Sequence, residues 1–178
     1  SIEIGQPTTY SIGEGSFSVS LWLCAPEDRG DQESRHLISA GAGEANDGGW
    51  ALLINRSSNT ITFQLGDGEH QASIGAAAKN LTNGTWWHVA ATVDRPSGMV
   101  QLYLNGGLLA GQCVDFVGRG GIDSAAGLSI GRGTDERRHY VGQLDEVAIW
   151  RRNLVPEEVN RIFKLGQDLG SAFDGETR

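Results

Sequence analysis

Asp145 is the carboxylate whose sequence surroundings most demand a partner. It shares strand parity with Val147 and Ile149, while Ala148 and Trp150 make the opposite face apolar as well. A strand apolar on both faces is covered on both, which leaves Asp145 partly buried, and an unpaired buried carboxylate is costly. Calcium would neutralise it, because that ion accepts carboxylate and carbonyl oxygens in flexible geometry. Backbone N–H groups or an arginine would serve as well, so both readings stand. Its neighbour Glu146 is expected to face solvent or a salt bridge.

A second chemistry is suggested by Arg132, Arg137, Arg138, His139 and Tyr140, the main basic concentration on an acidic chain. Guanidinium and imidazole donors beside an aromatic ring suit an anionic or neutral sugar. Tyr140 or Trp50 would be the stacking surface, with Glu136 in the same loop. The competing reading pairs these arginines with Asp135 and Glu136 on a solvated turn. Trp50, at a loop edge after Gly48 and Gly49, is the tryptophan least expected in the core, whereas Trp22, Trp86, Trp87 and Trp150 are expected inside. His88, between Trp87 and Val89, is expected to make a structural hydrogen bond.

Catalytic patterns are missing from the sequence. Retaining glycoside hydrolysis needs an acid and a nucleophile held across one bond, which alternation along one strand would supply. Neither Asp67-Gly-Glu69 nor Asp145-Glu146 has the required spacing. There is no Gly-x-Ser-x-Gly, His-Glu-x-x-His or phosphate loop. The expectation is a binding protein, not an enzyme.

The elements that must carry these residues alternate with period two. Phe17, Val19, Leu21 and Leu23 share one face, as do Trp50, Leu52 and Ile54, and then Ile61, Phe63 and Leu65. Trp87, Val89, Ala91 and Val93 form another inward row, followed after Pro96-Ser97-Gly98 by Val100, Leu102 and Leu104. Asn105-Gly106 marks a tight hairpin turn, since both residues tolerate positive φ. Short strands with regular turn signals predict an all-β antiparallel sandwich or jelly roll. One helix is expected near the end. Pro156 opens it, Glu157 and Glu158 suit its positive end, Val159, Ile162 and Phe163 form its stripe, and Gly166 closes it. Residues 1–166 are therefore read as one domain and 167–178 as a polar tail.

Composition narrows the partners. The 178-residue chain has 14 basic and 22 acidic side chains, a net charge of -8, which disfavours nucleic acid and anionic membranes. No apolar run approaches the roughly 20 residues of a membrane helix, so no membrane insertion is expected. The chain starts at Ser1 and its only methionine is Met99, which reads as a processed protein or an excised domain. Cys24 and Cys113 could pair or remain thiols, and the sequence leaves that open.

Five segments in order carry a resemblance: Phe17-Ser-Val-Ser-Leu-Trp22, Asn83-Gly-Thr-Trp-Trp-His-Val-Ala-Ala-Thr-Val-Asp94, Val100-Gln-Leu-Tyr-Leu-Asn-Gly106, Leu128-Ser-Ile-Gly131 and Tyr140-Val-Gly-Gln-Leu-Asp-Glu-Val-Ala-Ile-Trp150. Together they resemble the laminin-G-like family of concanavalin A-like jelly rolls, and within it the branch related to pentraxins. The resemblance implies two packed sheets with one concave face, and a non-catalytic module for glycans or protein partners. It also implies a structural or bridging Ca2+ ion, with Asp145 as a ligand beside backbone carbonyls. Asn46 and Asp47 match by order an acidic pair that pentraxins use for calcium, and Asp135 is in place on the opposing loop with Glu136 beside it. Gly133 and Thr134 depart from that pattern, which leaves a single site from Asn46, Asp47 and Asp135 and removes a double one. The expected role is carbohydrate recognition within a larger extracellular, cell-surface or periplasmic protein. The alternative is an adhesion or assembly module without sugar, where self-association belongs because pentraxin-like relatives form closed oligomers.

Overall fold

The computed structural model describes residues 2–4, 11–26, 34–41, 48–79, 81–118, 121–124, 127–133 and 138–173. The alternating segments become antiparallel strands: β1 (Ile2–Ile4), β2 (Phe17–Cys24), β3 (Ser34–Gly41), β4 (Gly49–Asn55), β5 (Thr60–Gly66), β6 (Gln71–Ala77), β7 (Trp86–Asp94), β8 (Met99–Leu104), β9 (Gly107–Cys113), β10 (Leu128–Ile130) and β11 (Gln143–Trp150). They form a six-stranded sheet in the order β1-β10-β3-β4-β5-β6 and a five-stranded sheet in the order β11-β2-β7-β8-β9. The expected jelly-roll sandwich is present.

Each predicted inward row faces the other sheet. Phe17, Val19, Leu21 and Leu23 on β2 and Val89, Ala91 and Val93 on β7 are fully buried against Leu52, Ile54, Ile61, Phe63 and Leu65. The Asn105-Gly106 turn links β8 to β9 with both residues at positive φ, 48° and 76°. The Asn105 side chain also accepts from the His88 N–H at 2.9 Å, which ties the turn to β7.

The opposite, outer face of the five-stranded sheet is covered by α1 (Pro156–Phe173). Ala90, Tyr103, Leu154 and Val159 form a second buried cluster there, with Trp150 and Ile162 packed on it. Ser18 anchors the helix start, giving its hydroxyl proton to the Arg152 carbonyl and accepting the Leu154 N–H, both at 2.9 Å. Glu158, two residues after Pro156, accepts the Val155 N–H and grips Arg152 through two 2.7 Å bonds. The Arg152 bonds, with Val155, hold the Glu158 carboxyl down at about 2.

Two expectations fail in this layer. The helix does not close at Gly166 but continues to Phe173, so the proposed boundary between 166 and 167 falls inside it. Gly166 is needed for packing instead, since a Cβ there would meet the Trp22 indole. His88 makes no side-chain hydrogen bond among the described residues; its ring lies 5.4 Å from that of Trp22 and 6.0 Å from that of Phe163.

The register also answers the cysteine question. Cys24 pairs with Trp86 where β7 begins, and Cys113 pairs with Met99, opposite Asp94 where β7 ends. Eight strand residues at about 3.3 Å each separate those levels, far beyond disulfide reach. Both cysteines are free.

Candidate functional site

The expected site residues fall in different places. Asp145 is exposed, against the burial expected of it, and the cause is a bulge. Gln143, Leu144 and Asp145 pair with Cys24, Leu23 and Trp22, but the next pairing is Ala148 with Ser20, so Glu146 and Val147 together oppose Leu21. Glu146 takes a left-handed φ of 47° there. The extra residue puts Asp145 on the outer face with Ala148 and Trp150, while Val147 and Ile149 turn to the core. Its Oδ1 accepts the Glu146 N–H at 2.7 Å. Burial therefore does not oblige Asp145 to bind calcium. No group of three His, Cys, Asp or Glu among the described residues could hold a metal ion. Asn46, Asp47, Asp135, Glu136 and Arg137 lie outside the described residues.

The basic set is only partly surface. Arg132 is half-buried, and its carbonyl accepts the Ser39 hydroxyl proton at 3.2 Å. His139 is exposed and bridges His36 in parallel, and the Arg138 carbonyl accepts the His36 N–H at 3.2 Å. Their backbone thus runs in the six-stranded layer beside β3. Tyr140 is half-buried against the main core, and burial pushes its phenol well above the usual range.

Trp50 and Trp86 have exchanged their expected places. Trp50 is 1% exposed, with its ring 5.5 Å from Phe17 and 6.3 Å from Phe63, so it cannot stack on a sugar. Trp86 is 43% exposed. Strand parity explains both positions: Trp50 shares the inward row of Leu52 and Ile54, and Trp86 precedes the inward Trp87.

The surroundings of Trp86 are built, not incidental. The turn before it is fixed by Asn83, whose side-chain carbonyl accepts the Thr85 N–H at 3.1 Å and the Thr85 hydroxyl at 2.6 Å. That turn is tied to β2, since the Gly84 N–H donates to the Ala25 carbonyl and the Cys24 thiol to the Gly84 carbonyl. A Cβ at Gly84, where φ is 75°, would meet nothing within 4 Å, so the space above the turn is open. Gln143, Cys24 and Trp86 pair across three strands and share the outer face, about 10 Å from first to last. Val141, 60% exposed, borders the same end of the sandwich. The result is an exposed indole flanked by carboxamides, a hydroxyl and a thiol.

The opposite end of the sandwich is closed by a carboxylate. Asp123 accepts from the Ser11 hydroxyl at 2.7 Å, the Ile12 N–H at 2.7 Å and the Gly13 N–H at 2.9 Å. Desolvation pushes its carboxyl up, but these bonds and the charge of Arg151 outweigh that and leave it below its usual value. Asp67 is similarly occupied by the Glu69 and His70 N–H groups. Arg95, 5% exposed, is acted on by Glu14, Asp123 and Asp67, so this acidic rim already has its own cation.

The family model described as "Concanavalin A-like lectin/glucanases superfamily" matches residues 3–160. The chain belongs to that superfamily. Among curated proteins, this concanavalin A-like domain is 22% identical over 169 residues to adhesion G-protein coupled receptor V1 of Danio rerio, covering 89% of the domain and 2% of the receptor. Among solved structures it is similar to the binding domain of botulinum neurotoxin serotype G, with a TM-score of 0.68, 20% identity, and coverage of 88% of this chain and 37% of that one. It is also similar to the CBM40 of a Ruminococcus gnavus IT-sialidase bound to α2,3-sialyllactose, with a TM-score of 0.65, 17% identity, and coverage of 91% and 95%. At these identities the structural likenesses show the shared fold. No helix among the described residues is long and apolar enough to cross a membrane.

Proposed function

We propose that this concanavalin A-like domain is a non-catalytic carbohydrate-binding module of a larger extracellular or cell-surface protein. The observation that carries the reading is Trp86, an indole left 43% exposed on a fold that buries Trp50 completely, and set among neutral hydrogen-bonding groups. Pyranose rings present an apolar face ringed by hydroxyls. An aromatic plate beside amides and a hydroxyl matches that pattern. The CBM40 of similar fold was solved with sialyllactose, which supports a sugar ligand for this architecture.

The test is a glycan array with the wild-type domain and Trp86→Ala, each run with calcium and with a chelator. Wild type should bind a reproducible glycan class, and Trp86→Ala should reduce that signal at least about tenfold. Its loss of stability should stay below the roughly 3–5 kcal/mol of a fully buried aromatic, because 43% of the residue is exposed. Loss of binding on chelation would restore calcium to the account; unchanged binding would leave it out.

A second reading, an adhesion or assembly module, is favoured by edge strand β9. Gly107–Cys113 carries no charged residue, and Leu108 is 60% exposed. Such an edge lacks the charges that usually block strand addition. A blank array together with concentration-dependent association would favour it.

A further inference from the structure

We propose that the binding surface continues from Trp86 beneath the second half of α1, onto a covered saccharide subsite formed by Trp22 and His88. This rests on the reading of Trp86 as the contact plate and adds the part of the site behind it.

One patch of the outer face is half open and half covered. Cys24 pairs with Trp86 and Trp22 with His88, so the four side chains stand in two neighbouring rows on β2 and β7. The open row holds the exposed Trp86 and the half-buried Cys24. Two residues along each strand, about 7 Å further in, Trp22 is 9% exposed and His88 1%. Asp145 extends this second row onto β11, opposite Trp22, and is exposed there.

The covered row carries polar atoms that its surroundings do not answer. Trp22 Nε1 and both ring nitrogens of His88 have no hydrogen-bond partner among the described residues, with the two rings 5.4 Å apart. Buried groups of this kind are ordinarily paired, because an unpaired one has given up its bonds to water for nothing. A neutral imidazole offers one donor and one acceptor, and the indole offers a second donor. Set beside an indole face, with the Asp145 carboxylate as a further acceptor at the rim, they suit a sugar ring whose hydroxyls donate and accept.

The cover is held unevenly. Its first half is pinned by the buried Leu154 and Val159, by Ser18 on the Leu154 N–H and by the grip of Arg152 on Glu158. After Phe163, the side chains of Lys164, Leu165, Gln167 and Asp168 are exposed. Two residues close over the row. The Phe163 ring lies 5.7 Å from that of Trp22 and 6.0 Å from that of His88, and a Cβ on Gly166 would collide with Trp22 Nε1. Glycine inside a helix weakens it relative to alanine, and this one lies over the indole nitrogen that lacks an acceptor. The segment from Phe163 onward is therefore the part of α1 that lifts, and the three nitrogens are what a ligand satisfies by lifting it.

The experiment labels the full chain with 5-fluorotryptophan and assigns its fluorine NMR signals through Trp22→Phe and Trp86→Phe. The probes are array glycans supplied as mono-, di- and tetrasaccharides. A monosaccharide should shift the Trp86 signal alone. A tetrasaccharide should shift both signals and speed amide hydrogen exchange after Phe163. Gly166→Ala, and separately Phe163→Ala, should bind the tetrasaccharide at least about fivefold more tightly with monosaccharide affinity unchanged, because a site closed most of the time loses apparent affinity by its open fraction. A Trp22 signal and a helix unmoved by every saccharide that shifts Trp86, or opening variants that gain nothing with length, would overturn the covered subsite while the Trp86 reading stands. If no saccharide shifts Trp86, the contact plate itself is wrong and the subsite falls with it. Should both opening variants fail to fold, the wild-type fluorine and exchange data decide alone.

Discussion

The two ends of the sandwich solve opposite problems. At one end Asp123 receives three donor groups from residues 11–13, and Arg95 lies among Glu14, Asp67 and Asp123. Among the described residues, the polar groups there answer one another. At the other end Trp86 presents 43% of its surface, over a turn whose outer side is open. The Asp123 and Asp67 carboxylates at the closed end are occupied by backbone N–H groups. The end that exposes apolar area beside neutral polar groups is the one able to gain free energy from an outside partner.

The contrast should break most visibly at the tryptophans. Trp50 belongs to the core that the closed end seals, between Phe17 and Phe63. Trp50→Ala should cost about 3–5 kcal/mol, the usual range for a large aromatic removed from a packed interior. Chemical unfolding compared with Trp86→Ala checks this directly. Similar losses in the two variants would mean that Trp86 is a core residue too, and the open end would lose its distinguishing feature.

Acid should separate the two ends by pH window. The open-end half of the five-stranded sheet is held under α1 by Trp22, His88 and Phe163. Burial lowers the His88 pKa to about 4, against about 6.5 in an unfolded chain. Between those values the unfolded chain binds the extra proton, so stability is complete above about 6.5, declines as pH falls, and levels off below about 4. The whole difference amounts to about 3 kcal/mol. His88→Phe should flatten that slope, as read from urea midpoints across the window. A slope that persists would assign the proton to another group.

Most of the fold was readable because alternation records burial directly. Each inward row on β2, β4, β5, β7 and β8 was visible, as was the Asn105-Gly106 turn. The same signal placed Trp50 inward and Trp86 outward, through Trp87 and Val89. It was overridden by the loop-edge position of Trp50 and by grouping four tryptophans as core. The location of Asp145 was not readable. One inserted residue on β11 reverses every later side chain, and a bulge with a glutamate at positive φ leaves no composition cue. Gly166 misled for a related reason. A glycine after an apolar stripe usually ends a helix, but here it makes room for an indole contributed from β2, 144 positions earlier in the chain.

The smallest expected effect tests whether the closed end is held by charge. Asp123→Asn keeps the shape of the side chain but turns one of its two acceptor oxygens into a donor facing Gly13 and Ser11. At neutral pH the loss should be about 1–2 kcal/mol, since charge-assisted bonds exceed neutral ones but this carboxylate is solvent-exposed and screened. The Asp123 carboxyl lies below its ordinary value in the folded protein, so its contribution is present above the unfolded value near 4 and is lost as pH falls through the folded one. Urea midpoints of wild type and Asp123→Asn should therefore differ at neutral pH and converge in strong acid, below the window in which His88 acts. Glycan binding should not change, because the two ends share no residue. A gap that stays constant into acid would mean that the latch works through shape alone. A loss of binding would mean that the ends are coupled through the core, and the division between a sealed end and a receptive one would have to be redrawn.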